Sequence, residues 1–421
     1  MPDVPALPDD VARSLLARHD QLATISEPGA GVTRVFASPE HVRALKMLRG
    51  WMEDAGMTTR VDAIGNLFGR YAADPAAGNA PKALIVGSHH DTVREGGRFD
   101  GAMGVLIGIA CVEALAAAGR RLPFHVDVVA FADEEGTRFT SSLLGSRATA
   151  GLFRKEVLDW RDNEGITMAD AMRAAGFDPE RIDDCALAPT SLLAYVEAHL
   201  EQGPVLEAEG LPVGVVTAIA SGTRHRFTVK GIAGHAGTVP MASRHDALAG
   251  AAEMILACEQ IAQTAETAVA TIGQIRVAPG ATNVIPGEAT FTLDLRAPAK
   301  IAHDDVRSRV LDRLKAIAAQ RGLDLDHEQL YDSSGCVMDE DIRRQLAAAI
   351  EGEGLRPRDL FSGAGHDALA MQAVAPVGMI FVRCRKGISH NPEEYVAPDD
   401  IVVATRVMLR FLADFAPPTA A

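Results

Sequence analysis

The sequence predicts an α/β protein: a mostly parallel sheet covered by helices forms one domain, and a ferredoxin-like α+β domain is inserted into it. In the first part of the chain, short apolar runs end in polar, glycine-containing loops and are followed by helical segments, which is the order found in open α/β sheets. After about residue 218 the strands instead alternate polar and apolar residues. At 421 residues, the chain is also too long for one simple core.

The first part of the chain supplies most of the predicted parallel sheet. Helices are predicted at 14–23, 39–55 and 105–118, and strands at 83–86, 124–132 and 194–199. The strands are short apolar runs bounded by turn residues, a pattern typical of buried strands. Because such strands alternate with helices, a mostly parallel sheet is expected.

The inserted domain is predicted from a change of order. Strands at 223–230, 268–277, 288–297 and 324–331 alternate with helices at 246–264 and 304–321. This β-α-β-β-α-β order is the ferredoxin-like motif. We therefore expect a catalytic domain formed by 1–217 and 332–421, interrupted by a domain at 218–331. A helix at 339–352 and a strand at 377–383 return to the first sheet.

The composition excludes several classes of partner. The net charge is −15 and no basic stripe is present, which argues against nucleic acid. A single arginine in a cleft could still attract an anionic substrate. The five cysteines are scattered without a paired motif, and the chain shows no signal peptide and no apolar run long enough to cross a bilayer. These features predict a cytoplasmic protein without a membrane partner.

Five side chains of the metal-ligand type lie in glycine- or proline-containing loops, mostly after predicted strands. They are His89, Asp100, Glu135, His199 and His390. Imidazoles combined with carboxylates suit Zn²⁺, Mn²⁺, Co²⁺ or Ni²⁺ better than Ca²⁺ or Mg²⁺. Five ligands exceed one tetrahedral site, so two ions with a bridging carboxylate are expected. A single histidine of this kind is more simply a hydrogen-bonded loop residue, but five at matching positions favour a metal site.

Three acidic residues near these ligands are candidates for other roles. Asp91 lies two residues beyond His89 and could orient its ring, or it could make a local turn bond. Glu134 and Glu135 are adjacent at a strand end, so their side chains point to different sides. One could bind metal while the other takes a proton from water. A solvated acidic turn is the alternative.

The inserted domain and a late loop carry further polar candidates. His235 lies at a turn, where it could donate to an oxyanion. Arg296 ends an alternating strand and could hold a carboxylate through two hydrogen bonds, with a structural salt bridge as the alternative. Asn283 lies in the same domain. His366, in a polar glycine-rich loop, is a less constrained candidate for substrate binding.

Six short motifs occur in one order along nearly the whole chain, from about Ser14 to Phe415. They are Gly-Ser-His89-x-Asp91-Thr, Gly-Gly-x-Phe-Asp100-Gly, Asp-Glu134-Glu135-Gly-x-Arg-Phe, His199-Leu-Glu-Gln202-Gly-Pro, Gly-His235-Ala-Gly-Thr and Ser389-His390-Asn391-Pro-Glu-Glu. Together they resemble the allantoate amidohydrolase and N-carbamoyl-L-amino-acid hydrolase family, in the clan of two-metal aminoacylases and carboxypeptidases.

The resemblance implies a role for each candidate. The five ligands would bind two divalent ions, Mn²⁺ or Zn²⁺ with Co²⁺ or Ni²⁺ as alternatives, and Asp100 would bridge them. Asp91 would orient His89, Glu134 would be the general base, and His235 would stabilise the tetrahedral intermediate. The substrate would be held by Gln202, Asn283 and Arg296, with Arg296 on its carboxylate. The inserted domain would serve as a lid and as the dimerisation domain of a homodimer.

The resemblance also implies a reaction on a small ureide that carries a carboxylate. Hydrolysis of the ureido C–N bond of allantoate, releasing ammonia and carbon dioxide, is the leading hypothesis. An N-carbamoyl-L-amino-acid hydrolase, or a β-ureidopropionase-like enzyme, is the alternative. A dipeptidase or aminoacylase is less favoured, because peptidase branches of the clan usually place an acidic residue at the position of His199. A metal-dependent binding protein would be expected to lack the base or a ligand, and here all are present.

Overall fold

The computed structural model describes residues 4–78, 80–265 and 268–418. Its chain forms two compact units. The first consists of Met1–Thr217, Met338–Leu360 and His366–Ala421, and the second of Ala218–Val337 and Phe361–Gly365. The second unit ends later than the predicted residue 331, because its last long strand continues to Ser333 and a short strand, Cys336–Val337, follows. The segment 361–365 also belongs to this unit, which the sequence pattern did not indicate.

The strands and helices alternate along much of the chain. The strands are β1 (Thr58–Val61), β2 (Leu67–Tyr71), β3 (Ala83–His89), β4 (His125–Phe131), β5 (Leu192–Leu200), β6 (Val213–Ile219), β7 (Ser221–Lys230), β8 (Gly234–His235), β9 (Val269–Thr271), β10 (Ile275–Ala278), β11 (Val284–Ile285), β12 (Glu288–Ala297), β13 (Asp324–Ser333), β14 (Cys336–Val337), β15 (Asp359–Ser362) and β16 (Val377–Val382). The α-helices are α1 (Val11–Ala23), α2 (Pro39–Asp54), α3 (Ala102–Ala117), α4 (Leu144–Thr149), α5 (Met168–Ala175), α6 (Val205–Glu209), α7 (Ala247–Gln263), α8 (Lys300–Arg321), α9 (Glu340–Gly352), α10 (Ala368–Met371) and α11 (Pro398–Asp414).

The first unit is built on a mixed sheet with the strand order β1-β2-β4-β3-β5-β16-β6. Its middle strands β4, β3, β5 and β16 are parallel to one another. The flanking pairs β1–β2, β2–β4 and β16–β6 are antiparallel. The predicted α/β class, with a mostly parallel central sheet, is confirmed.

The buried helix α3 packs against this sheet. Every residue from Ala102 to Val112 is buried, and a helix that is apolar on all sides is expected to lie inside a protein. It contacts β3, β4 and β5 on one side and α1 and α11 on the other. This core fixes the strands whose ends carry the polar loops.

The polar candidates follow the carboxyl ends of the parallel strands. His89 is the last residue of β3, and Glu134 follows β4 by three positions. His199 is the next-to-last residue of β5, and His390 lies in the loop after β16. Because parallel strands end at the same edge of a sheet, the fold brings these side chains to one place.

The second unit contains an antiparallel sheet with the strand order β10-β12-β7-β13, and β9 also pairs with β12. Helices α7 and α8 pack on it around a core that includes Phe227, Phe291 and Met254. The β-α-β-β-α-β order is the predicted one. The predicted single strand 268–277 is interrupted instead, because three residues between β9 and β10 face only two residues of β12, as at a β-bulge.

Within the described part of the chain, no helix is both long enough and apolar enough to cross a membrane.

A pair of glycine substitutions tests the close packing of α3 on the sheet. A Cβ at Gly104 would lie 2.4 Å from the carbonyl oxygen of Ala198, and this backbone atom cannot move without shifting β5. We expect Gly104→Ala to lower the free energy of unfolding by about 1–3 kcal/mol, as overpacking does. Gly50→Ala is the matched control, because Gly50 lies in α2 with nothing within 4 Å of its added Cβ.

We expect the control to raise the free energy of unfolding by about 0.4–1 kcal/mol. Urea unfolding followed by circular dichroism measures both changes. An unchanged or increased stability of Gly104→Ala would contradict the close approach of α3 to β5.

Candidate metal centre and active site

The five predicted ligands all lie in the first unit, and they meet around Asp100. The Nε2 atom of His199 is 2.9 Å from Asp100 Oδ1, and the Nε2 atom of His89 is 3.7 Å from the same oxygen. His390 faces the other oxygen, with its Nε2 atom 3.4 Å from Asp100 Oδ2. The two carboxylate oxygens of Asp100 therefore face different histidines.

These residues form two ligand groups that share Asp100. In one group, ligand atoms of His89, Asp100 and His199 all lie within 4.8 Å of one another, and in the other the same holds for Asp100, Glu135 and His390. Glu135 Oε1 is 3.5 Å from His390 Nε2. Such an arrangement suits two cations with one shared carboxylate.

Hydrogen bonds orient the two buried histidines toward Asp100. The Nδ1 atom of His199 lies 3.0 Å from the carbonyl oxygen of Leu200, and that of His89 lies 3.1 Å from the carbonyl oxygen of Asp91. In a neutral imidazole whose Nδ1 donates to a carbonyl, Nε2 carries no proton and can bind a metal. The two rings thus present ligand atoms to the centre of the site.

Asp91 joins the two loops that carry the site. Its Oδ1 atom accepts a hydrogen bond from the backbone N–H of Glu134 at 3.0 Å, and Oδ2 accepts one from that of Glu135 at 3.2 Å. Asp91 Oδ1 also lies 3.4 Å from His89 Nδ1. The carboxylate therefore contacts both the His89 ring and the backbone of the loop after β4.

The backbone adopts uncommon conformations at several site residues. Gln202 and His390 both have φ of 54°, in the left-handed region that non-glycine residues rarely occupy and that clusters at functional sites. Gly101 has φ of 66°, and a Cβ there would come within 2.4 Å of the His89 ring. Only glycine at position 101 leaves room for this ring.

The acidic side chains of the site are crowded and buried. Burial raises the pKa of Glu134 well above its usual value, and the positive charge of His89 offsets only part of this effect. Burial and, to a smaller extent, the charge of Asp100 raise the pKa of Glu135 to about 7. Burial opposes ionisation of Asp100 too, but His199 and the other two histidines outweigh it and hold that pKa well below the usual range.

This set of donors fits divalent cations. Carboxylates brought together in a low-dielectric site repel one another unless positive charge lies between them. Three imidazoles and two carboxylates are suitable ligands for Zn²⁺, Mn²⁺, Co²⁺ or Ni²⁺. Burial is the main cause of the raised pKa values of Glu134 and Glu135, and neighbouring carboxylates add to it.

A set of polar side chains supports Asp100 from outside the two ligand groups. Ser389 Oγ and Gln202 Nε2 both donate to Asp100 Oδ2, at 2.9 and 3.1 Å. Glu394 Oε1 accepts hydrogen bonds from the backbone N–H groups of Phe99 and Asp100, and its Oε2 atom lies 3.1 Å from Ser389 Oγ. The sequence reasoning gave no role to Ser389 or Glu394, although both lie in the motif that contains His390.

His366 is buried beside a ligand. Its ring lies 4.4 Å, centroid to centroid, from that of His199, and it is only 1% exposed. Ligand atoms of His366, His199 and Glu197 lie within 4.8 Å of one another. A role for His366 in substrate binding stays a prediction. Glu197, which the sequence reasoning missed, is two residues before His199 in β5 and so shares its face of the sheet.

Three other predicted site residues lie in the second unit: His235, the proposed oxyanion donor, and the substrate residues Asn283 and Arg296. His235 is exposed in β8 opposite β11, and the N–H of Ala236 donates to the carbonyl oxygen of Asn283 at 3.0 Å. Arg296 donates to both carboxylate oxygens of Asp294, at 2.8 and 3.0 Å, and to the carbonyl oxygen of Gly363 at 2.5 Å. Their roles toward a substrate stay predictions.

The chain matches a known protein family and is similar to named enzymes. Residues 85–414 match the model of peptidase family M20/M25/M40. The chain is 40% identical to allantoate deiminase of Arabidopsis thaliana over 428 residues, covering 94% of this chain and 81% of that protein. It is 41% identical to N-carbamoyl-L-amino acid amidohydrolase of Geobacillus stearothermophilus over 384 residues, covering 91% of this chain and 93% of that protein.

A solved structure shows the same likeness. An amidase of the hydantoinase/carbamoylase family from Burkholderia multivorans matches with a TM-score of 0.88 and 34% identity, covering 95% of this chain and 97% of that chain. The resemblance inferred from the six motifs is thereby confirmed.

The charge balance of the site predicts that metal binding stabilises the fold. A ligand that binds only the folded state adds about 2.7 kcal/mol at 100 times its dissociation constant. We expect Mn²⁺ to raise the thermal unfolding midpoint of protein stripped with a chelator. Scanning calorimetry with and without Mn²⁺ measures the effect.

Two variants test whether the rise of the unfolding midpoint with Mn²⁺ depends on the cluster around Asp100. Asp100→Asn should abolish the shift, whereas Asp312→Asn, on the exposed face of α8, should retain it. Equal midpoints for stripped and Mn²⁺-loaded protein would refute the assignment of the cluster as a metal site.

Proposed function

The chain belongs to peptidase family M20/M25/M40, and on this premise we propose that it hydrolyses the ureido C–N bond of allantoate, releasing ammonia and carbon dioxide. Its relatives are named as amidohydrolases that act on C–N bonds, and the chain is a hydrolase of this kind. The observation that carries the proposal is the position of Asp100 between two ligand groups, with Glu134 beside them.

We propose that two divalent ions occupy the centre, Mn²⁺ or Zn²⁺, with Co²⁺ or Ni²⁺ as alternatives. Their ligands would be His89, Asp100, Glu135, His199 and His390, with Asp100 shared. When bound, such ions polarise a carbonyl oxygen and lower the pKa of water.

Glu134 is the proposed general base. Its neighbour Glu135 faces His390, while a Glu134 oxygen lies within 4.8 Å of ligand atoms of His89 and Glu135. Glu134 would take a proton from the attacking water and pass it to the leaving nitrogen. Asp91 supports this step, because it binds the backbone N–H of Glu134 and so holds the residue in place.

Gln202 provides a donor and an acceptor at the site. Its Nε2 group is held by Asp100 and Ser389. Its Oε1 atom is buried and finds no hydrogen-bond partner among residues 4–78, 80–265 and 268–418. A buried acceptor without a partner is unfavourable, and an N–H group of a ureido substrate would satisfy it.

Further substrate contacts are proposed for His235, Asn283, Arg296 and His366. Arg296 would hold the carboxylate of the substrate, because guanidinium groups bind carboxylates through two parallel hydrogen bonds. To do so it would exchange part of its present bonding with Asp294. His235 would donate to the oxyanion that forms during hydrolysis.

The alternative substrate is an N-carbamoyl-L-amino acid, or a β-ureidopropionate-like compound. It is favoured by the relative from Geobacillus stearothermophilus, which is as similar to this chain as the allantoate deiminase is. Both substrate classes carry a carbamoyl group and a carboxylate, so the same centre would serve either one.

We propose that the chain forms a homodimer through the second unit. Strand β13 pairs only with β7 in the sheet of the described residues, so its other edge is free. Nearly all of its residues are exposed, including Leu330 at 42% and Tyr331 at 43%. A long exposed edge of this kind is suited to pairing with a second copy.

A cytoplasmic location is also proposed. All five cysteines are buried and free. Unpaired thiols are typical of proteins that work in a reducing compartment.

A substrate panel tests the proposed function. Protein stripped of metal with a chelator is reloaded with Mn²⁺, Zn²⁺, Co²⁺ or Ni²⁺. Each form is then assayed with allantoate, N-carbamoyl-L-amino acids or dipeptides. We expect ammonia release with the highest kcat/KM on allantoate, and no cleavage of dipeptides. A higher kcat/KM on N-carbamoyl-L-amino acids would select the alternative, and robust dipeptide cleavage without ammonia release would refute both.

The same assay tests Glu134. Glu134→Gln should lower kcat by about 10²–10⁴-fold, the usual contribution of a general base, without loss of bound metal. Glu351→Gln, on the exposed face of α9, is the matched control and should leave kcat unchanged. A Glu134→Gln variant as active as the control would exclude this residue as the base.

A further inference from the structure

Arg34 is a charged side chain buried in the first unit. It is 2% exposed and ranks among the largest fully buried side chains of the described residues. No carboxylate of those residues lies within 4 Å of its guanidinium group. Burial lowers the pKa of Arg34 to about 10, and the charge of Asp91 raises it, so the group stays protonated at neutral pH.

The guanidinium group of Arg34 binds three backbone carbonyls. Its Nε atom donates to the carbonyl oxygen of His90 at 2.6 Å. Its Nη1 atom donates to those of Leu22 and Ile25, at 3.2 and 3.1 Å. Leu22 lies in the last turn of α1 and Ile25 two residues beyond the end of this helix, where the helix dipole is negative. The cation is therefore stabilised by the end of a helix.

The backbone of Arg34 makes a second connection to the same loop. Its N–H donates to Thr92 Oγ1 at 2.9 Å, and its carbonyl oxygen accepts from the N–H of Thr92 at 3.1 Å. Residues 90 and 92 are thus both tied to Arg34, and Asp91 lies between them. The peptide of this loop has little freedom to turn.

Fixing this loop also fixes the catalytic groups. Asp91 contacts the ring of the ligand His89 and binds the backbone N–H groups of Glu134 and Glu135. A rotation of the His90–Asp91 peptide would move these contacts. The position of a metal ligand and that of the proposed base therefore both depend on where the carbonyl of His90 is held.

Two buried histidines, His41 and His90, lie in the region of Arg34. The rings of His41 and His90 lie 4.4 Å apart, centroid to centroid. Burial and, to a smaller extent, the charge of Arg34 lower the pKa of His41 to about 3. Burial also lowers the pKa of His90 well below its usual value. Asp91 supplies negative charge that favours the protonated form of Arg34.

We propose that Arg34 is a positioning residue for the active site. Its planar guanidinium group ties the carboxyl end of α1 to the loop of His89 and Asp91, and so sets the geometry of the metal ligand and of Glu134. A lysine ammonium at this position has no planar array of donors that spans the carbonyls of both segments. The inference rests on the proposed function only for its catalytic readout, because metal affinity is measured without substrate.

Arg34→Met and Arg34→Lys test the proposal. In both variants, we expect the Mn²⁺ affinity of the metal-free protein to fall by about 10–100-fold, as for other residues that support metal ligands. Titration calorimetry measures this affinity. The kcat on the substrate with the highest wild-type activity should fall by a similar factor, with KM changed by less than about threefold. Arg70→Met is the matched control, since Arg70 pairs with Asp127 between β2 and β4.

The control should retain wild-type Mn²⁺ affinity and kcat even if it lowers stability. The proposal is overturned if folded Arg34→Met binds Mn²⁺ and turns over substrate within twofold of wild type. If Arg34→Met fails to fold, Arg34→Lys decides, because it keeps the buried charge, and wild-type values for it overturn the proposal. If the wild-type protein is inactive on every ureide, the proposed function is refuted. A loss of Mn²⁺ affinity in the Arg34 variants would still support the role of Arg34.

Discussion

The sharing of one carboxylate between two ligand groups is the constraint on which the first unit depends. Asp100 faces His89 and His199 with one oxygen and His390 with the other. Glu134, Glu135 and Asp91 add further negative charge in the same buried volume, where like charges repel strongly. Such a cluster is stable only if cations occupy it or protons neutralise it. The scaffold must therefore hold acidic groups close together against their repulsion.

The fold meets this demand with backbone groups and buried support. Parallel strands bring four loops, those after β3, β4, β5 and β16, to one edge of the sheet, and α3 packs against β3, β4 and β5. Glu394 binds the backbone of Asp100, Asp91 binds that of Glu134, and Arg34 binds that of His90. In each case a buried charge is matched by peptide dipoles. These contacts hold the loops independently of side-chain packing.

Much of the site could be predicted from the sequence because its ligands stand in loops after recognisable strands. The motifs around His89, Glu134 and His199 indicated that these residues lie at strand ends, as the structure shows, and their chemical roles stay predictions. Residues that act through hydrogen bonds were harder to find. A lone arginine such as Arg34 has the pattern of a solvated surface residue, and Glu197 lies inside an apolar strand. Only the tertiary fold shows that both are buried.

The other differences between the predicted and the observed strands have local causes. The short strands β1 and β2 carry arginines and a glycine, which weakens the strand pattern. The bulge between β9 and β10 depends on the register with β12, which no single segment encodes. Relatives that are 40% and 41% identical to the chain carry the names of different substrates. The two substrates differ in the groups attached beside the shared carbamoyl group and carboxylate. The residues that would contact these groups do not form a recognisable sequence motif.

If Asp100 is shared by two metal ions, anomalous diffraction from crystals of the Mn²⁺-loaded protein will show both of them. We expect two anomalous peaks about 3.5–4 Å apart, one beside His89 and His199 and the other beside Glu135 and His390, with an oxygen of Asp100 on each. A single peak, or peaks away from Asp100, would contradict the sharing of Asp100.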